Sequence, residues 1–336
     1  MRIGDFDLEK KVLVVAEIGN NHEGNFAIAK ELVRKAAECG VDAVKFQTFK
    51  TEHYVSSSDA ARFARLKSFE LSYSQFEELS RLARSLGLLF MSTPFDLTSA
   101  DFLDTIVDAF KIASGDNNYY PLIAQVVRTG RPVIISSGAS DFQQVARTVE
   151  FVMRQPAEDG VAGRFAILHC VSGYPTPLDQ ANLRAIQVLA DHFDYTVGYS
   201  DHTIGVMAAL LAVALGARII EKHFTLDKNF SDFRDHQLSA DPAEMRELVR
   251  QVRVSSSMLG ERNKVIQPCE EAVASAIRRS IVAGADLPAG HRITWSDLTW
   301  IRPASGLAPG EEQILVNRVL KRNVRFGEQL RASDVE

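Results

Sequence analysis

The feature that most constrains this chain is an alternation repeated eight times. Short apolar runs at 12–18, 42–48, 88–93, 109–114, 133–137, 165–170, 195–200 and 217–223 are each followed by a segment of helical spacing. The clearest helical segments are 26–39, 74–86 and 242–258. Near-continuous apolar strands separated by amphipathic helices mark βαβ units and a parallel sheet. Eight such units in about 260 residues predict an α/β fold of the (β/α)8 TIM-barrel type. A doubly wound sheet is the rival, but no GxGxxG turn follows the first strand.

The eight runs share a second property. Each begins apolar and ends polar: Glu17, Lys45 with Gln47, Thr93, Lys111 with Ser114, Ser136 with Ser137, His169, Ser200 with His202, and Glu221 with His223. Ionisable groups inside a barrel are costly unless a partner or ligand meets them. The C-terminal end of barrel strands is the catalytic face. The recurrence therefore predicts an active site at that end.

Beyond residue 262 the texture changes. Residues 263–279 read as a linker with some helical character, and 280–336 as a small separate domain. Within it Gly290, Ile293, Ser296, Asp297 and Leu298 recur in spacing as Gly327, Leu330, Ser333, Asp334 and Val335. Two similar half-motifs predict a compact unit of pseudo-twofold character.

Composition narrows the function. A net charge of −5 gives no electrostatic footprint for nucleic acid. The first residues lack the apolar core of a signal peptide, and the apolar stretch 204–217 is too short to span a membrane, reading instead as a buried helix. Cys39, Cys170 and Cys269 form no metal or disulfide spacing and read as reduced, buried thiols. These features predict a cytoplasmic protein.

Three constellations carry chemistry. His202 and His223 end neighbouring strands, where two imidazoles could hold a divalent metal and leave positions open; one ordinary hydrogen-bonded histidine and one exposed one is the alternative. Lys45 and Lys111, with Thr93, Ser114, Ser136 and Ser200, suit a phosphate or carboxylate. The lysines also fit an imine-forming aldolase, or salt bridges to Glu17, Asp116 or Glu221. Glu17 could serve as a general acid or base, or as an ion-pair partner, and His22 and Glu23 follow it on a glycine-containing loop.

The motifs AEIGNNHEG, VKFQT, STPF, KIASGD, ISSG, HCVSGYPTP, GYSDHT and EKHFTLD occur in this order. The chain thereby resembles the sialic acid synthase family over nearly its whole length, with a tail similar to the family's antifreeze-like (SAF, β-clip type) domain. The resemblance implies condensation of phosphoenolpyruvate with an aldose to give a nonulosonic acid and phosphate. It implies a phosphoenolpyruvate pocket of Lys45, Gln47, Thr93, Lys111, Ser114, Ser136 and Ser200, and a catalytic carboxylate at Glu17. It implies manganese or magnesium on His202 and His223, and sugar contacts from Tyr174, Asp235 and Asp116. Finally, it implies a homodimer with exchanged tail domains, in which Arg302 reaches the other subunit's site.

The departures surround the sugar. The segment after the second strand is short and has no asparagine, where several family members have one that contacts the sugar. Residues 229–239 read NFSDFRDHQLS where a GPDH-like turn is common. The acceptor implied is N-acetylmannosamine or a diacetamido trideoxyhexose; another aldose, phosphorylated or leading to an octulosonic acid, is the alternative.

Overall fold

In a computed structural model, residues 1–156 and 160–336 are described, and they divide into two compact units, Met1–Gly260 and Glu261–Glu336. The first opens with a hairpin of β1 (Arg2–Ile3) and β2 (Phe6–Asp7). Eight parallel strands follow: β3 (Leu13–Gly19), β4 (Ala43–Thr48), β5 (Leu89–Pro94), β6 (Ala109–Ile112), β7 (Val133–Ser136), β8 (Phe165–Cys170), β9 (Thr196–Asp201) and β10 (Ile219–His223). They close into a barrel, β10 pairing with β3, which excludes the doubly wound rival.

The helices are α1 (Phe26–Glu38), α2 (Thr51–Tyr54), α3 (Ala60–Phe69), α4 (Tyr73–Ser85), α5 (Leu97–Leu103), α6 (Tyr120–Arg128), α7 (Phe142–Met153), α8 (Ala185–His192), α9 (Met207–Ala214), α10 (Arg234–Leu238) and α11 (Pro242–Leu259). Helix α1 shows why such segments fold. The Asn25 side chain caps Ala27 N and Ile28 N, and Ala29, Leu32, Val33 and Ala36 make one buried stripe. Helix α9 corrects the expectation of a buried helix at 204–217: Ala208, Ala209, Ala212 and Val213 are buried, but Met207 and Leu211 are exposed.

The period of two along each strand decides what the barrel contains. Outward residues such as Val14, Phe46, Phe90, Phe110, Ile135 and Ile167 pack in the layer that includes the helices' buried stripes. Inward residues Leu13, Val15, Ala43, Met91, Ala109, Ile134, Ala166, Leu168 and Ile219 fill the lower barrel, and Ile3 and Leu8 of the hairpin segment join them. Gly198 belongs to this packing because a Cβ there would lie 2.5 Å from Leu168 Cδ2 and 2.6 Å from Ile219 O. The next inward positions upward are Glu17, Lys45, Thr93, Lys111, Ser136, Cys170, Ser200 and Glu221, so the apolar plug ends directly beneath the polar layer.

The second unit contains α12 (Pro268–Ile277), within the segment read as a linker, and the antiparallel strands β11 (Ser280–Ala283) and β12 (Leu298–Ile301). Its core includes Ile281, Ile293, Leu298, Leu315, Leu330 and Val335. The two half-motifs fold alike. Gly290 and Gly327 have φ of 83° and 79°. Thr294 N donates to Asp297 Oδ2 (2.7 Å), as Arg331 N does to Asp334 Oδ2 (2.9 Å).

Candidate active site

A chamber of about 50 Å3 sits at the C-terminal mouth of the barrel, lined by Glu17, Lys45, Gln47, Thr93, Lys111, Ser114, Ser136, Cys170, Tyr174, Ser200, His202, Glu221 and His223, among others. A wider cleft of about 790 Å3 shares Gln47, Ser114, Tyr174 and His223 with it and adds Asp116, Arg234 and Asp235.

An ionic chain crosses the chamber. Asn20 Nδ2 donates to Gln47 Oε1 (2.8 Å), and Gln47 Nε2 to Glu17 Oε1 (3.2 Å). Lys45 Nζ lies 2.7 Å from Glu17 Oε2, 3.2 Å from Thr93 Oγ1 and 3.8 Å from Glu221 Oε2. Lys111 Nζ lies 3.4 Å from Glu221 Oε1, which also accepts from Ser200 Oγ (2.8 Å). Both lysines are thus held by carboxylates.

Burial sets the protonation tendencies. It raises the Glu17 carboxyl above its ordinary range, and Lys45 only partly offsets this. For Glu221 burial acts the same way, but Lys111, Lys45 and Ser200 outweigh it and hold the group well below the ordinary range. Their surroundings thus push the two neighbouring carboxyls in opposite directions, Glu17 up and Glu221 down. Burial lowers Lys111 despite Glu221. In Lys45 the same burial is outweighed by Glu17 and Glu221, and its pKa rises.

The imidazoles of His202 and His223 lie 5.4 Å apart between ring centroids. His202 donates its Nδ1–H to Val171 O (2.9 Å); burial lowers its pKa, but Cys170 beside it and the Val171 carbonyl outweigh burial and raise it. His223 Nδ1 is buried without a hydrogen-bond partner, and burial holds this imidazole neutral. Two imidazoles lining one chamber, His223 held neutral with its Nδ1 unbonded, suit a divalent cation. Among the described residues no group of three or more His, Cys, Asp or Glu is arranged for a metal, so any cation here would take its remaining ligands from substrate or water.

A family model for the NeuB family matches residues 32–264, and a SAF domain model matches 278–336. The chain is 39% identical to the N,N'-diacetyllegionaminic acid synthase of Legionella pneumophila, over 96% of this chain and 94% of that one. It is 35% identical to the N-acetylneuraminate-9-phosphate synthase of Mus musculus, over 85% and 82%. Among solved structures, the N-acetylneuraminic acid synthetase of Leptospira borgpetersenii, in complex with citrate, superposes with a TM-score of 0.76 at 32% identity, covering 81% of this chain and 94% of that one.

The chain belongs to the NeuB family. Its relatives are synthases, and this NeuB-family protein is an enzyme of the transferase type.

Most of the residues singled out in this NeuB-family sequence meet at one place. Glu17, Lys45, Gln47, Thr93, Lys111, Ser114, Ser136, Tyr174, Ser200, His202 and His223 all line the chamber. Ser136 Oγ is buried there without a partner. Asp116 and Asp235 line the outer cleft, and burial raises both carboxyls, Asp116 to about 6. Arg302 lies in the second unit, exposed and without an ion pair among the described residues.

Two expectations need correction. His169 is not a chamber residue: it faces outward from β8, its Nε2 2.8 Å from Ala181 O, and Cys170 takes the inward place. Cys269 is exposed rather than buried. The segment after β4 forms α2 and α3 and brings Tyr54, Arg62 and Arg65 to the outer cleft. Glu221, read as a polar strand end and a salt-bridge partner but not as a site residue, is the hub joining both lysines to Ser200; its signal was the inward parity it shares with His223.

Proposed function

We propose that this enzyme condenses phosphoenolpyruvate with an N-acetylated hexosamine, N-acetylmannosamine or a diacetamido trideoxyhexose, giving a nonulosonic acid and phosphate. The observation that carries the reading is the chamber itself: two buried lysines and a row of hydroxyls facing a raised carboxyl and two buried imidazoles. Lys45 and Lys111, with Thr93, Ser114, Ser136 and Ser200, would exchange part of their present contacts for the carboxylate and phosphate of phosphoenolpyruvate. Tyr174, Asp116 and Asp235 would orient the open-chain sugar at the chamber mouth.

C3 of phosphoenolpyruvate attacks the aldehyde carbon and forms the new C–C bond. Water adds to the electron-poor C2, and the C2–O bond to phosphate breaks, leaving the keto group. Glu17 would supply the proton that the new hydroxyl oxygen takes up, or accept the one that the attacking water gives up. A manganese or magnesium ion on His202 and His223 would polarise the aldehyde oxygen. The proposal includes a homodimer in which the tail of each chain delivers Arg302 to the other's cleft, and a cytoplasmic setting. No helix among the described residues is long and apolar enough to cross a membrane.

The test is phosphate release from phosphoenolpyruvate with manganese across a panel of aldoses, with a chelator control and mass detection of the product. Metal-dependent release with an N-acetylated hexosamine supports the reading. In solvent enriched in oxygen-18, label must enter the keto acid; label in phosphate would refute C–O cleavage. A second reading has one observation in its favour: the lowered Lys111 suits an imine-forming aldolase. Borohydride trapping of a lysine adduct, with turnover indifferent to chelator, would favour it.

A further inference from the structure

Arg234 and Asp235 reach the outer cleft from α10, a helix of five residues. Arg234 stacks its guanidinium 4.6 Å from the Tyr174 ring centroid, and its Nε lies 3.4 Å from Asp235 Oδ1. So short a helix has no stability of its own, so something else must fix these groups. The next residue, His236, is 1% exposed and lines neither the chamber nor the cleft. Its Nε2 lies 3.1 Å from Glu23 Oε1, and its Nδ1 lies 2.7 Å from Thr225 Oγ1.

Glu23 belongs to the loop after β3 and sits at φ 46°, a conformation uncommon for a residue with a side chain. Ser231 Oγ donates to the same Glu23 oxygen, and Phe233 N donates to Ser231 Oγ (3.0 Å). From the same loop Asn21 Nδ2 donates to Phe224 O (2.8 Å) and Ser239 Oγ (3.0 Å), and Ser239 Oγ donates to Asp235 O (2.6 Å). The neighbouring Gly24 packs so closely that a Cβ would fall 2.0 Å from Ser68 O at the end of α3. Phe233 meets Phe69 edge-on, at 5.3 Å between centroids. The β3 loop, the end of α3 and the segment after β10 are therefore one tied body, with the Glu23–His236 contact inside it.

We propose that Glu23 and His236 are positioning residues for the acceptor sugar: they hold Arg234 and Asp235 against Tyr174 without touching substrate. The proposal rests on the condensation reading for what the cleft binds, but not for the clamp itself. The residues assigned to phosphoenolpyruvate lie on β4, β5, β6, β7 and β9 or, for Ser114, just after β6. The hydrogen bond from Asn20 to Gln47 links them to the β3 loop, but none of them touches Glu23 or His236, so loosening that contact acts first on the acceptor side.

The test uses the full-length protein and the variants Glu23→Ala, Glu23→Gln and His236→Phe. His236→Phe keeps an aromatic ring beside Phe230 and Phe233 and removes both hydrogen bonds. A hydrogen bond to a charged group is worth about tenfold or more, so Glu23→Ala and His236→Phe should raise the acceptor KM at least about tenfold. The phosphoenolpyruvate KM should stay within about twofold, and Glu23→Gln, still an acceptor for Ser231 and His236, should restore most of the loss. Equal rises in both KM values, or none, would overturn the proposal. Hydrogen exchange read by mass spectrometry decides the clamp independently: residues 227–238 should lose protection in Glu23→Ala and His236→Phe while the β4–β7 strands do not. Unchanged exchange there would refute the clamp even if no acceptor turned over, whereas loss of protection with no turnover in the parent enzyme would leave the clamp standing and refute the condensation reading.

Discussion

Lys222 and Asp201 make the sharpest stability prediction. They are register partners on β10 and β9, each one residue before a chamber histidine, and both face outward. Their side chains are 1% and 0% exposed, with Nζ 2.9 Å from Oδ2. Lys222 also donates to Thr203 O. The other oxygen, Asp201 Oδ1, accepts from Thr203 N (2.8 Å), Thr203 Oγ1 (2.8 Å) and Tyr199 OH (3.3 Å). Lys222→Met fills similar volume but leaves Oδ2 charged, buried and unpaired, a loss of about 3–5 kcal/mol. The three donors that remain on Oδ1 place the expected loss near the lower end, about 3 kcal/mol. At about 2–4 °C per kcal/mol for a domain of this size, the barrel's Tm should fall by about 6–12 °C in scanning calorimetry. Asp201→Asn in the Lys222→Met background removes the stranded charge, so the double variant should be more stable than Lys222→Met alone. A double variant that loses the sum of the two single losses would refute the reasoning, because it would mean the two side chains do not interact.

Further outcomes follow from other places in the fold. Gly198→Ala should destabilise the barrel by about 1–3 kcal/mol, since its Cβ has no space between Leu168 and Ile219; urea unfolding would show it. Asp116, raised to about 6 by burial, favours the folded state while protonated, so its contribution is lost as pH rises from its ordinary 3.8 through about 6. Asp116→Asn should therefore flatten the fall in Tm across that window and raise Tm at pH 7.5. Co-expression of Arg302→Ala with His202→Ala chains should yield about a quarter of wild-type sites, because half of the dimers are mixed and each mixed dimer rebuilds one site; activity no higher than either variant alone would refute tail exchange.

The barrel and most of the chamber were legible because one rule of geometry governs both. A strand turns alternate side chains to opposite faces, so an apolar run that ends in a polar residue of inward parity must place that residue on top of the barrel core. Glu17, Lys45, Thr93, Lys111, Ser136 and Ser200 obey it. The same rule, applied strictly, also accounts for the misses. In the sequence Glu221, Lys222 and His223 form one ionisable cluster, yet parity sends Glu221 and His223 into the chamber and Lys222 outward to Asp201. Parity likewise exchanges His169 for Cys170, because Leu168 already faces the core. What parity cannot reach is the outer cleft. Arg62 and Arg65 stand i,i+3 on α3, and Asp235 sits on the short α10, whose His236 is tied to Glu23 more than two hundred residues away in sequence. Strand geometry is local and written in spacing; the placement of loops depends on contacts between distant segments. The chamber lies on the strands and the outer cleft is built largely by loops and short helices, which is why the first is legible in the sequence and the second is not.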